Sequence, residues 1–178
     1  GDGGEGFDDD GNTEALARLR PLNPYGWSKH LFDRRVAHLV ASGARQPPQW
    51  AGLKFFNVYG PNEYHKGGQR SVAHQIFESA TADQPVRLFK SHHPDYGDGG
   101  QMRDFVWVGD CVAVVQWLLA HPDVSGLYNM GTGHARSFAD LARAVISAMG
   151  KAPDIEYIDT PPEVRSQYQY FTEARMER

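Results

Sequence analysis

Residues 103–130 read RDFVWVGDCVAVVQWLLAHPDVSGLYNM, and this stretch decides the fold class. Residues 105–108 form a short apolar run suited to a buried strand, residues 110–120 are apolar over a helical length, and residues 127–130 return to a strand pattern. Strand, helix and strand in alternation predict parallel pairing. Working outward, Asn23-Pro24 supplies a cap followed by proline at the first helical position. Trp27, Leu31, Phe32, Val36 and Leu39 recur at helical spacing, which predicts a helix over 24–40, broken by Gly43 and Pro47-Pro48. Residues 53–58 predict a buried strand ended by Gly60-Pro61, 71–82 an amphipathic helix, 86–89 a strand, and 92–100 a polar, glycine-rich mobile loop. Residues 137–149 predict a helix, 155–158 a strand, and the segment after Thr172 a further helix. Residues 1–12, rich in glycine and acid, predict a solvated loop. Strands alternating with helices give an α/β class.

The chain has 178 residues, 40% hydrophobic and 12% aromatic, enough apolar material for a packed core in one domain or part of a larger one. Its net charge is −4, but Asp2, Glu5, Asp8, Asp9 and Asp10 supply five acids with no neighbouring base, so the remainder is close to neutral. That balance argues against a nucleic-acid partner or a polybasic membrane surface. The longest apolar run, 111–120, is half a bilayer span and contains Gln116. No secretory signal opens the chain, which predicts a soluble, cytoplasmic protein. Cys111 is the single cysteine, so neither an internal disulfide nor a cysteine zinc cage is available. It reads as a small buried hydrophobe, and Trp107, Trp117, Phe138 and Leu141 read as core.

Tyr25 and Lys29 are one helical turn apart and share a face. A free phenol is a poor base near neutrality, but an ammonium a few ångströms away stabilises the phenolate. Such a phenol can exchange a proton with a substrate alcohol. The pair alone is weak evidence, because Tyr-x-x-x-Lys arises often by chance. Gly131-Thr132-Gly133 lies between a strand and a helix, yet Arg136 stands at the third glycine position of a dinucleotide fingerprint, so cofactor binding there is not expected. His92, His93 and Asp95 have no fixed spacing that would aim them at a metal, and none is assigned.

The order of segments adds more. Asn23-Pro24-Tyr25-Gly26-x-x-Lys29 is followed by Phe56-Asn57-Val58-Tyr59-Gly60-Pro61, then by Arg103-Asp104-Phe105-Val106-x-Val108-x-Asp110 and Asn129-Met130-Gly131-Thr132-Gly133. This succession resembles the extended short-chain dehydrogenase/reductases, which epimerise or dehydrate nucleotide sugars on a nicotinamide cofactor. Glu63-Tyr64-His65-Lys66-Gly67-Gly68 and Arg165-x-x-Tyr168-Gln169-Tyr170-Phe171-Thr172-Glu173-Ala174 are similar to the 6-epimerase branch acting on ADP-heptose. The resemblance implies interconversion of two ADP-heptose epimers on tightly held NADP, for lipopolysaccharide core synthesis, by a homo-oligomer, often a pentamer. It implies Tyr25 and Lys66 as the catalytic acid/bases, with Lys29, Val58 and Lys66 toward the cofactor. It places Asn57, Gly68, Gln75, Phe89, Lys90, Ser91, His92, Arg103 and Tyr168 toward substrate. Gly68 stands where some relatives carry a serine, which would remove one hydrogen bond.

Two proton-transfer groups have a physical reason. Inversion at a secondary alcohol passes through a ketone that must turn between hydride removal and return, so its oxygen meets two different walls of the pocket. Arg103 offers a planar donor fork suited to a diphosphate. No Gly-x-x-Gly-x-x-Gly loop precedes a helix in the sequence. The resemblance therefore implies a C-terminal part of a Rossmann-like parallel sheet plus a smaller mixed α/β substrate-binding domain, without the N-terminal dinucleotide-binding half. Residues 1–60 would be the remnant of the cofactor domain and 61–178 mainly the substrate-binding domain, with 105–130 returning to the Rossmann-like sheet. Such a chain alone would hold NADP weakly or not at all. Two alternatives remain open: a UDP-hexose 4-epimerase or dTDP-glucose 4,6-dehydratase type of enzyme, and a non-catalytic nucleotide-sugar-binding module.

Overall fold

The computed structural model describes residues 9–165 and 168–176. A short helix α1 (Thr13–Arg18) opens it, capped by the Asn12 side chain, which accepts from the Ala15 N–H at 2.8 Å. The sequence reading missed this helix, although Asn12 and Leu16 carry its signal; Leu16 is 1% exposed. Helix α2 (Pro24–Ala41) starts as expected, with Asn23 accepting from the Gly26 N–H at 2.8 Å. Its apolar residues do not all turn inward: Leu31 is 56% and Phe32 69% exposed, while His30 and Ala37 are buried. Ala37 packs with Leu16 and Leu127, so the face turned inward is set by α1 and a strand.

The expected strand over 53–58 is divided. Strand β1 (Ala51–Phe55) pairs in parallel with β5 (Gly126–Met130), and β2 (Asn57–Tyr59) pairs in parallel with β4 (Met102–Trp107). Phe56 is the break. Its N–H donates to Met130, its carbonyl accepts from the Val58 N–H, and the chain turns from one partner to the other. A kinked 3₁₀ segment, Tyr64–Gln69, leads to helix α3 (Val72–Thr81) and strand β3 (Val86–Phe89). Helix α4 (Val108–Ala120) follows β4, and β6 (Ala135–Ser137) runs into helix α5 (Phe138–Ala148). Strand β7 (Ile155–Ile158) pairs in parallel with β3, and a short α6 (Pro162–Arg165) follows. The expectation of parallel pairing holds for three pairs, but β4 and β6 are antiparallel. An antiparallel pair needs no crossover of the βαβ kind.

The main core lies between α3, α5, β3 and β7. Ile76, Ala80, Val86, Leu88, Ala139, Ala142 and Ile146 are buried there, with Phe138 and Leu141 packed against them. Trp107 and Trp117 are not core, being 42% and 50% exposed. Cys111 is buried with Val106 and Met130, and burial together with the Asp110 charge pushes its thiol up. No described helix is long and apolar enough to cross a membrane. Residues 172–176 are non-helical, against expectation. The Thr172 N–H donates to Met102 and the Ala174 N–H to Asp104, and the Arg175 carbonyl, which a helix would need as an acceptor, takes the Asn129 amide instead at 2.9 Å. The solvated opening loop is also corrected at one point: Asp9 is 4% exposed and accepts from the Asn129 N–H at 3.0 Å. Residues 1–8 of that predicted loop lie outside the described residues.

Candidate functional site

The structure gathers the expected site residues into three groups. Tyr25 and Lys29 form the first, on the first turns of α2, where the Lys29 ammonium lies 5.2 Å from the Tyr25 ring centroid. Tyr25 is 73% exposed, so its hydroxyl is open to a ligand. One helical turn aligns the pair, as the spacing requires.

The second group surrounds Lys66, whose ammonium lies 3.5 Å from the Glu63 carboxylate. Glu63 belongs to the same motif as Lys66, and sequence reasoning assigns it no role. It is 4% exposed and accepts from the Ser71 N–H at 2.7 Å, the Ser71 hydroxyl at 2.7 Å and the Gly60 N–H at 3.3 Å. One carboxylate thus ties both ends of the 60–71 loop and holds its lysine, with the i,i+3 spacing as the available signal. Burial pushes the Glu63 carboxyl up, but the Ser71 and Gly60 bonds and the Lys66 charge outweigh it, and the net displacement is downward. A carboxyl held below its ordinary value of 4.5 stabilises the fold above that pH and loses the contribution as pH falls through the depressed value. Glu63→Gln is therefore expected to flatten the acid limb of stability and to cost about 1–2 kcal/mol at pH 7, read by urea unfolding from pH 7 to 3. Gly68, beside this group, has open space where a side chain would stand.

The third group is Phe89, Arg103 and Tyr168. The Arg103 guanidinium lies 5.5 Å from the Phe138 ring and 5.6 Å from the Tyr168 ring, and its Nη1 donates to the Met102 carbonyl at 2.8 Å. Phe89 meets Tyr168 edge-on at 6.2 Å. Burial lowers Arg103 from its ordinary value; burial also pushes the Tyr168 phenol up, against the pull of Arg103. Tyr168 is therefore a hydrogen-bond donor at neutral pH, and Arg103 is a cation held on two aromatic faces. Lys90 pairs with Asp159 at 3.3 Å, the Ser91 N–H donates to Asp98 at 2.8 Å, and the His92 N–H donates to the Tyr170 hydroxyl oxygen at 3.0 Å. The 92–100 loop is not an open excursion: Tyr96 N–H bonds to His93, Gly100 N–H to Gly97 and Gly99 N–H to Phe89.

Other expected residues stand apart from these groups. Gln75 is exposed, donates to the Arg70 carbonyl and lines a cleft of about 550 Å³ with Val72, Ile76, Ser79 and Arg87, which neither Arg103 nor Tyr168 enters. Asn57 and Val58 stand on β2 opposite Phe105 and Val106, and Val58 packs on the Val106–Cys111–Met130 cluster.

Gly131-Thr132-Gly133 does not cradle a phosphate. It wraps the Asp104 carboxylate, which is 0% exposed and accepts from the Thr132 N–H at 2.8 Å, the Thr132 hydroxyl at 2.7 Å, the Gly133 N–H at 2.9 Å and the Ala174 N–H at 3.0 Å. A Cβ at Gly131 would stand 2.7 Å from the Asp104 oxygen and 2.6 Å from the Ala174 methyl, so only glycine fits this approach. The loop uses its backbone donors on an internal anion. No cluster of metal-binding side chains occurs among the described residues.

The family model for the NAD-dependent epimerase/dehydratase family matches residues 1–131. The chain is 53% identical over its whole length to the ADP-L-glycero-D-manno-heptose-6-epimerase of Nitratidesulfovibrio vulgaris strain DP4, of which it covers 53%. It superimposes on the UDP-glucose 4-epimerase of Thermus thermophilus, solved with NAD, with a TM-score of 0.68 and 29% identity, covering 88% of this chain and 46% of that one. It also superimposes on the ADP-L-glycero-D-manno-heptose-6-epimerase of Helicobacter pylori with a TM-score of 0.64 and 30% identity, covering 89% and 44%. The chain thus spans about half the length of the relatives it matches.

Proposed function

Because the chain belongs to the NAD-dependent epimerase/dehydratase family, we propose that it carries acid/base and substrate-binding groups of an ADP-L-glycero-D-manno-heptose 6-epimerase. One observation carries the reading beyond the family: 53% identity across all 178 residues with a heptose epimerase, against 29% with the UDP-glucose enzyme whose fold it shares. In the intact protein, Tyr25 holds or releases a proton at its hydroxyl with the Lys29 ammonium beside it. Lys66, oriented by Glu63, does the same at its Nζ for the opposite orientation of the substrate oxygen. Arg103, half-sandwiched by Phe138 and Tyr168, takes the diphosphate.

The cofactor of this reading is NADP. The exposed phenol and ammonium on α2 suit its nicotinamide-ribose end, while the sequence supplies no glycine-rich loop for its phosphates. Bound NADP would supply the hydride acceptor and donor. A homo-oligomer in the cytoplasm, serving lipopolysaccharide core synthesis without a nucleic-acid or membrane partner, completes the proposal.

Incubation of the intact protein with ADP-D-glycero-D-manno-heptose, and separately with UDP-galactose, tests it. Inversion of the heptose alone is the expected result. Turnover of UDP-galactose alone would assign the UDP-hexose alternative, and turnover of neither would leave a binding module.

A further inference from the structure

Tyr170 has no assigned role, yet it joins two parts of the substrate group. Its backbone is pinned by β4: the Met102 N–H donates to the Tyr170 carbonyl at 2.8 Å, and the Thr172 N–H donates to the Met102 carbonyl at 3.2 Å. Arg103 is the next residue on that strand. The Tyr170 ring lies 5.1 Å from His93 and 5.3 Å from Tyr96, both tilted against it, and 5.4 Å from Tyr168, edge-on. Its hydroxyl oxygen accepts from the His92 N–H at 3.0 Å. His93 and Tyr96 also meet each other at 5.3 Å, so three rings close on one another.

We infer that Tyr170 is a positioning residue that clasps the 91–98 loop against the Arg103–Tyr168 pair. The inference rests on the proposed function for what the clasped residues bind, but the clasp itself is a matter of geometry. Phe89 and Lys90 are already held independently, by the buried Gln101 amide, which donates to both of their carbonyls at 3.3 Å. Beyond them the loop turns on bonds of its own, Ser91 to Asp98 and Tyr96 to His93. Tyr170 supplies a bond and two ring contacts from outside the loop, and does so from the same C-terminal segment that presents Tyr168. An aromatic ring with a polar tip suits this task, since it fills space between rings and leaves an oxygen for the backbone. The clasp therefore couples the order of Ser91 and His92 to the position of Tyr168. Without it the loop must be ordered when substrate binds, at an entropic cost felt in affinity and not in the chemical step.

Two variants of the intact protein separate the parts. Tyr170→Phe keeps the ring and removes the oxygen; Tyr170→Ala removes both. Hydrogen exchange of a peptide covering 90–98 is expected to quicken in both, more in the alanine variant. KM for the ADP-sugar is expected to rise about five-fold in Tyr170→Phe and about twenty-fold in Tyr170→Ala, with kcat within about two-fold. A purely structural tyrosine would lower kcat through the folded fraction and leave KM alone. Unchanged exchange in Tyr170→Ala, or unchanged KM with faster exchange, would overturn the clasp. Failure of the unaltered protein to turn over ADP-heptose would instead strike the functional reading. In that case Kd for ADP replaces KM, with the same expected ratios, and unchanged Kd overturns the clasp.

Discussion

Tyr25→Phe in the intact protein is expected to lower kcat for heptose inversion by about 10²–10⁴-fold, the usual contribution of a positioned proton-transfer group. The variant deletes one oxygen and little else. Tyr25 is 73% exposed, and the contact of the Lys29 ammonium with its ring, 5.2 Å to the centroid, survives in phenylalanine. Stability is therefore expected to stay within about 0.5 kcal/mol of the parent, as for other surface changes. Steady-state rates with ADP-heptose and a thermal melt together check both halves. A variant that inverts the heptose at the parent rate would remove the phenol from the mechanism, whatever the family.

Asp104→Ala is expected to be the most damaging single change to the fold described here. The substitution strands three backbone N–H groups and one hydroxyl that now converge on a fully buried carboxylate. Ala174 is buried and Gly133 half-buried, whereas Thr132 is exposed and its donors can turn to water. A buried donor left without a partner costs about 1–3 kcal/mol, so a loss of about 3 kcal/mol is expected. For a protein of this size that lowers Tm by about 10 °C. Asp104→Asn should fall between, because its amide group would face the Gly133 or Ala174 donors instead of accepting from them. Thermal melts of both variants beside the parent check the order. Equal melting temperatures for all three would mean that the Gly131–Gly133 loop is held by something else.

Much of the candidate site was legible in sequence because its parts are local. Tyr25 and Lys29 meet across a single helical turn, and helix geometry alone guarantees that. The start of α2 was legible for the same reason, with Asn23 and Pro24 acting within three residues of the cap. Lys66 could be picked out by motif, but its partner Glu63 owes its role to Ser71 and Gly60, which the loop folds back onto it. Asp104 and Tyr170 were in plain view inside recognisable motifs. Asp104 finds Thr132 and Gly133 28 and 29 residues on and Ala174 70 residues on, and Tyr170 finds His92 78 residues back; no spacing rule reaches that far.

The apolar faces show the limit from the other side. Periodicity located α2 and α4, but it does not say that Leu31 and Phe32 stay exposed, and the core reading of Trp107 and Trp117 fails because both are exposed. A helical period says that one face is apolar; which neighbours stand against it depends on the rest of the fold. The division of residues 51–59 into two strands is of the same kind. A continuous apolar run predicts extended chain, whereas the break at Phe56 exists because β5 and β4 offer different partners on either side.

Sequence by itself determined the α/β alternation, most helix and strand positions, and the Tyr25–Lys29 pairing, all of which follow from steric and hydrogen-bonding preferences over a few residues. Only the tertiary structure decided that the Gly131–Gly133 loop serves a buried carboxylate, that Arg103 rests on Phe138 and Tyr168, and that residues 172–176 are non-helical. Those outcomes depend on which distant donors and acceptors compete for the same backbone groups, and that competition is settled when the strands come together.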